Sequence, residues 1–328
     1  MVATREDRPA APEQRRRPAR RPLTRAQREN RAGLVYLSPT FLVVLVVVVV
    51  PILWTILLAF QRLRLINIRR TGLFGEFTLR NFEYVFTSPG FWSSLWTTLV
   101  YTIGGTAFSI IFGLIAALAL RKRFPGRTFV RASVLLPYVA PVVAVTFVWE
   151  IMLSPQFGVA NNWGTRFLGW DRPIAFLSQR EYSLWGVDIP LALITVIVFE
   201  AWRYFPFAFL FILARLQAVP KDLEEAAVVD GAAPTQLFRH ILLPQLGAVI
   251  ALLSVLRFIM TFNKFDDVWL LTGGGAGTQV TSVRVYEFLT ARLDVGAAAA
   301  QGLVLAAALV LLLVLYLKFF APRVEGES

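Results

Sequence analysis

The chain has no cysteine, one histidine (His240) and only four lysines in 328 residues, and 16% of its residues are charged. Without cysteine there are no disulfide frameworks, thiolate metal sites or thiol nucleophiles, and a lone histidine argues against His-based metal centres and triads. None of Lys122, Lys221, Lys264 and Lys318 stands in G-x-x-x-x-G-K-[ST], so the sequence contains no P-loop. The GGGAG run at 273–277 precedes no lysine-bearing helix start and reads as a flexible turn. So few charges, set against 56% hydrophobic residues, cannot coat a soluble globule of this size. The bilayer is the expected solvent.

A formal net charge of +12 would suggest nucleic acid as a partner if it were spread over a soluble surface. It is concentrated at the ends of apolar stretches instead, and ten basic residues precede residue 33 in a Pro- and Arg-rich segment with almost nothing apolar to bury. Residues 1–32 are therefore expected to be a disordered basic tail, 33–321 a transmembrane domain and 322–328 a short second tail. Arg20 and Arg21 loosely resemble a twin-arginine signal, but the following apolar run is too long and lacks a small-residue cleavage site. A retained first span is expected.

Crossing ~30 Å of hydrocarbon takes about 20 apolar residues at about 1.5 Å each. Six segments suffice, near 34–60, 92–120, 129–153, 189–214, 241–263 and 296–317. Runs such as FLVVLVVVVV lack the period of two that a membrane barrel shows, so the predicted fold is all-α and polytopic. With both termini inside, twenty lysines and arginines lie on the cytoplasmic side, about twice as many as outside, the bias expected for that orientation.

This orientation makes the stretch between spans four and five cytoplasmic. Asp222 is placed to cap a helix with Glu225 three residues on, and Glu224 and Glu225 lie near its positive dipole end. Gly231 permits a sharp bend, and Pro234 suits the first turn of a second helix whose Leu237, Phe238, Ile241 and Leu242 share a face. That face could pack on the protein's own spans or dock on a partner, and pattern alone leaves both open. The order Glu225-Ala226-Ala227, Asp230-Gly231-Ala232, then Phe238, Ile241, Leu243 and Pro244, resembles the EAA loop of permease subunits in bacterial ATP-binding-cassette importers. The resemblance implies a coupling helix docked on an ATPase subunit. Glu225 would make polar contact, Gly231 would supply the bend, and Ala226, Ala227 and Ala232 would allow close approach. Ala248 stands where the pattern often has a second proline.

Residues 262–301 carry a narrower likeness. LTGGG (271–275), Tyr286-Glu287 and DVGAAAA (294–300) resemble sugar-importer permeases related to the maltose-system and glycerol-3-phosphate permeases. Ala276 replaces a proline common in that family. Weaker likeness at Pro51, LRNFEYVF (79–86) and LLPYVAPVVA (135–144) extends it over about 34–318.

Charges at mid-bilayer depth cost about 2.5 to 3.5 kcal/mol, so Glu200, Arg203 and Arg257 need a reason. Glu200 lies about eleven residues, or ~16 Å, into span four. Arg203 at i+3 could pair with it, and Pro206 offers a break facing a cavity. Such residues serve either as internal cement or as the lining of a translocation path. Lys264, Asp266 and Asp267 follow about twenty apolar residues and are expected at the solvated outer end of span five; contact with an external binding protein is the alternative. Tyr204, Phe205, Phe207 and Phe209 could stack on a sugar ring, although packing is the commoner role of such residues. Residues 154–187 read as a small outer cap with an interfacial helix, or as part of a receiving surface for the binding protein.

By resemblance, the chain is a transport subunit and not an enzyme. It is expected in the bacterial plasma membrane with a second permease subunit (a heterodimer), two ATPase subunits, an extracytoplasmic solute-binding protein and the lipid bilayer as partners, and with no nucleic acid. It would hold no cofactor, ATP and Mg being bound by the partner ATPase. The rival reading is an ion-coupled secondary transporter relying on Glu200 and Arg203.

Overall fold

A computed structural model describes residues 25–71, 75–184 and 186–320. It divides into two compact units, one ending at Trp54 and the other running from Thr55. Most of the predicted N-terminal tail, residues 1–24, and the C-terminal segment from 321 lie outside the described residues. The first helix begins at Arg25, within the stretch expected to be tail.

Among the described residues, five helices are long and apolar enough to cross a membrane. Span one is Gly33–Ala59, span two Phe91–Leu120, span four Leu191–Ala218, span five Pro234–Phe262 and span six Val295–Lys318. Predicted span three is a broken pair, Arg127–Val139 and Val142–Leu153, bent by 96°. The break has a cause in the sequence. Pro141 has no amide hydrogen and pushes the residue before it out of helical space, and Ala140 is extended, with ψ 142°. At 1.5 Å per residue each half reaches about 20 Å, too short to cross alone.

Two other prolines widen a helix without breaking it. A π-helical turn at Leu45–Val49 precedes Pro51, and another at Phe238–Leu242 precedes Pro244. In both, the wider turn makes room where the proline ring would meet the carbonyl four residues back. Pro206 lies inside the continuous Leu191–Ala218 helix, so the break expected there is absent and Pro141 supplies it instead.

Spans two and four form the centre of the second unit. Gly113 makes this approach possible: a Cβ there would lie 2.6 Å from the Ala208 Cβ and 2.8 Å from the Phe209 amide nitrogen. Between apolar helices in lipid, dispersion at such small-residue contacts replaces the hydrophobic effect as the source of packing. Below them, Ile110, Ala117, Phe209, Ile212, Leu242 and Leu246 bring spans two, four and five together in one apolar cluster.

The end of the unit where span six begins explains two of the quoted stretches. In the Arg80–Thr87 helix, Asn81 Nδ2 donates 2.8 Å hydrogen bonds to the carbonyls of Ala59 and Gln61, closing the end of span one. Asp294 Oδ1 accepts from the Ala297 amide (3.0 Å) as the N-cap of span six, and a Cβ on Gly296 would overlap the Gln61 carbonyl. The small residues of DVGAAAA are thus a close-packing surface. Residues 154–187 contain the helix Val159–Phe167 and a two-stranded antiparallel hairpin, Tyr182–Leu184 with Val187–Ile189, the one sheet among the described residues. Asn161 holds this segment by accepting from the Ile174 amide (2.6 Å) and donating to its carbonyl (2.9 Å).

Candidate functional site

The buried charges of spans four and five and the helix after them form one cluster. Glu200 is fully buried, and its partner is Arg257, across the helix interface, not Arg203 on its own helix. Arg257 Nη2 donates to Glu200 Oε1 at 2.6 Å, Thr261 Oγ1 donates to the same oxygen at 3.0 Å, and Tyr101 from span two donates to Oε2 at 3.1 Å. Gly105 makes room for this carboxylate, since a Cβ there would stand 2.8 Å from the Glu200 Cγ. Arg203 turns the other way. Its Nη2 donates to the Ala140 carbonyl at 3.2 Å, satisfying a backbone group freed by the break in span three.

Asp267 and Lys264 are not at a solvated helix end. Asp267 is fully buried, 3.9 Å from Arg203 Nε and 3.4 Å from Lys264 Nζ, so both residues join the intramembrane charges. The chain turns back after Phe262, and the helix Asp266–Thr272 packs inward; of the three, Asp266 is the most open, with 44% of its side chain exposed. Tyr204 is the hub of the cations: Arg257, Lys264 and Arg203 stand 4.3, 4.4 and 5.6 Å from its ring centre, and Lys264 also donates to its hydroxyl. Arg203 Nε and Nη1, Arg257 Nε and both Asp267 carboxylate oxygens have no hydrogen-bond partner among the described residues. These unmatched donors and acceptors give the cluster capacity for polar groups beyond its own. Of the aromatic candidates, Phe209 is buried in the apolar cluster, and Phe207 lies against Tyr138 and Phe211.

Far along span five lies the second assembly. The helix Lys221–Val229 ends in a glycine-based cap: the Gly231 amide (φ +82°) donates to the Val228 carbonyl at 3.1 Å and the Ala232 amide to the Ala227 carbonyl at 2.9 Å. Pro234 then opens the next helix at its first turn, with Gln236 Oε1 accepting from the Ala233 amide at 2.7 Å. The predicted helix, glycine bend and helix are all present, but Asp222 makes no cap; it sits inside the first turn, after Pro220.

The apolar face of the second helix packs internally, through Phe238 and Leu242. What protrudes is the end of the first helix, where Val228 and Val229 are 63% and 86% exposed with Glu225, Ala226 and Asp230 open beside them. Gly231, Ala232 and Ile241 line a hollow of about 350 Å³, and Leu243 and Pro244 lie on the exposed side where the loop helix runs unbroken into span five. Two polar ties fasten the loop to its surroundings. Arg121, at the end of span two, grips Glu224 with two bonds of 2.9 and 2.7 Å, and Arg215 of span four donates to Gln245 Oε1 at 2.7 Å.

Residues 109–326 match the family described as binding-protein-dependent transport system inner membrane component. The chain is 36% identical over 276 residues to the inner membrane ABC transporter permease protein YcjO of Escherichia coli, a match covering 83% of this chain and 88% of that protein. It is 33% identical over 261 residues to the trehalose/maltose transport system permease protein MalF of Thermococcus litoralis, covering 80% and 83%. Among solved structures, a bacterial ABC transporter involved in the import of the acidic polysaccharide alginate matches 92% of this chain and 100% of that chain, with a TM-score of 0.75 at 24% identity.

Proposed function

Since the chain belongs to the binding-protein-dependent transport system inner membrane components, as a multi-pass permease subunit and not an enzyme, we propose that it admits a sugar or related polar solute (oligosaccharide, polyol or glycerol phosphate) to the cell, driven by a separate ATPase that engages the loop around Gly231. Family membership also decides against the ion-coupled reading, in which Glu200 would need to be free; Glu200 is held by Arg257, Thr261 and Tyr101.

One observation carries the coupling role. The loop exposes valines at its tip while its second half is continuous with span five, so a push on the tip passes through the Gly231 bend into the helix that becomes span five. From Pro234 to Arg257 that helix advances about 35 Å, enough to link a surface at one membrane face to the buried charges. In this reading Glu225 meets the ATPase, Ala226, Ala227 and Ala232 permit close approach, and Gly231 fixes the angle between the two helices. Both termini and this loop are cytoplasmic, as the lysine and arginine bias favours.

The subunit pairs with a second permease, two ATPase subunits that bind ATP and Mg, and an extracytoplasmic solute-binding protein. ATP-driven closure of the ATPases draws the coupling loops together and turns the path outward, and hydrolysis resets it. Glu200, Arg203, Tyr204 and Arg257 line that path, where the unmatched guanidinium nitrogens of Arg203 and Arg257 suit a hydroxyl-rich solute. The name of the trehalose/maltose relative supports the sugar class. The test is solute-stimulated ATP hydrolysis by the reconstituted complex: Glu225→Lys is expected to abolish stimulation in correctly inserted protein, and undiminished stimulation would refute the assignment.

A further inference from the structure

A hollow of about 550 Å³ opens between the end of span two, the start of the Arg127–Val139 helix and the first turns of the loop helix. Arg121, Lys122, Arg123, Arg127, Arg131 and Lys221 line it, facing only two carboxylates, Glu224 and Glu225. Arg121 and Glu224 neutralise each other through their paired bonds. Five cations then remain against Glu225, and none of the five has an ion-pair partner among the described residues. Arg127 and Arg131 repel each other at i, i+4 on one helix. Arg131 Nη2 donates to the Leu120 carbonyl at 2.7 Å, and its Nε, buried from solvent, has no partner.

We propose that this hollow binds the phosphate head group of an anionic phospholipid of the inner leaflet. The placement at the membrane face rests on the cytoplasmic orientation given above. Two features favour a lipid over a soluble anion. The hollow lies at the ends of membrane helices, where a head group resides, and the stretch that supplies its arginines also carries exposed apolar side chains, Phe124, Val130 and the 77% exposed Phe129, which suit acyl chains. Lysines and arginines clustered on the cytoplasmic side of spanning helices are a recurrent basis for anionic-lipid recognition, and a guanidinium pair matches phosphate oxygens directly. The same hollow includes Arg121–Glu224 and Glu225, so the lipid would sit against the first half of the coupling loop and set its resting position.

The test uses the full chain in detergent, with lipid binding measured by native mass spectrometry. Phosphatidylglycerol is expected to bind in preference to phosphatidylcholine. Lys122→Gln/Arg123→Gln/Arg127→Gln, which spares the Arg131 cap and the Arg121–Glu224 tie, is expected to weaken phosphatidylglycerol about a hundredfold, at about fivefold per charge. Removing as many charges from the outer cap, Arg166→Gln/Arg172→Gln/Arg180→Gln, is expected to change it less than threefold. Should the first triple variant fail to fold, Lys122→Gln/Arg123→Gln at two exposed positions is expected to lose about twenty-five-fold.

Equal losses from both triples, or equal binding of the two lipids, overturn the proposal. Displacement of phosphatidylglycerol by equimolar inorganic phosphate assigns the hollow to a solution anion, and its expulsion when the ATPase assembles assigns it to an acidic partner face; either result also overturns it. Lipid binding by the isolated chain does not depend on ATPase coupling. Labelling of Phe124→Cys from one membrane side tests the orientation separately, so the two failures are distinguishable.

Discussion

Gly231 offers a graded test of the coupling loop because its surroundings separate backbone strain from crowding. Its φ is +82°, and a Cβ built there meets nothing within 4 Å, so a larger residue is opposed by conformation alone. A left-handed L-residue costs roughly 1 to 2 kcal/mol, partly offset by about 0.4 to 1 kcal/mol from the stiffer unfolded chain. Gly231→Ala should therefore shift the bend by about 1 kcal/mol, a roughly fivefold change in the population of the docking-competent loop. Gly231→Asn, tolerated in this region, should stay near wild type. Gly231→Pro cannot adopt a positive φ and also loses the amide that bonds to Val228, so solute-stimulated hydrolysis should vanish while the helices remain inserted. The assay is stimulated ATP hydrolysis in the assembled, reconstituted transporter, with co-purification of the ATPase measured alongside. Stimulation retained by Gly231→Pro, or an alanine variant as inactive as the proline, would refute the reasoning.

Two further outcomes follow from the packing and the charges. Gly113→Leu should separate spans two and four and lower thermal stability in detergent by at least the 1 to 3 kcal/mol typical of overpacking, since its Cβ alone would lie 2.6 Å from Ala208; an unchanged melting temperature counts against the close contact. Asp267 is fully buried with Lys264 and Arg203 at 3.4 and 3.9 Å, so Asp267→Asn leaves two buried cations less compensated and should lower the melting temperature in detergent; an unchanged value would show that its charge does not hold the cluster.

The sequence made the spans and the bent loop legible because each is a local pattern: apolar length, a glycine between helix-prone stretches, a proline at a first turn. Partnerships across elements were not local. Arg203, three residues from Glu200, was the obvious ion-pair candidate, whereas the true partner is 57 residues away on a neighbouring helix. The presence of a second intramembrane cation of similar depth, Arg257, was the available signal. Asp267 was misplaced because counting residues beyond a span assumes that the chain keeps going outward. Phe265 and the apolar run from Val268 to Leu271 already favoured an inward-packed helix. Gly105 and Gly113 looked like any glycine in a spanning helix, and only the facing Glu200 and Ala208 give them a purpose. Pro141 and Pro206 were alike in sequence; tertiary context, with Arg203 available for the Ala140 carbonyl, marks the one where the helix breaks.

Whether the buried charges are cement or lining is decided by treating Glu200 and Arg257 as a pair. Each is almost fully removed from solvent, so deleting one partner leaves the other uncompensated, at a cost of about 3 to 5 kcal/mol. Glu200→Gln and Arg257→Gln should each destabilise the chain by that order. The double variant, which removes both charges and keeps polar side chains of moderate size, should recover much of the loss and give a coupling energy above about 2 kcal/mol. Transport by the same variants then divides the roles. If the pair only holds spans four and five together, transport returns with stability in the double variant. If the carboxylate and guanidinium meet the solute, stability returns and transport does not, because two neutral amides cannot replace charge-assisted hydrogen bonds. The path assignment made here requires the second result. Full transport by a stable double variant would reduce these residues to helix packing and leave the route to be found elsewhere in the membrane domain.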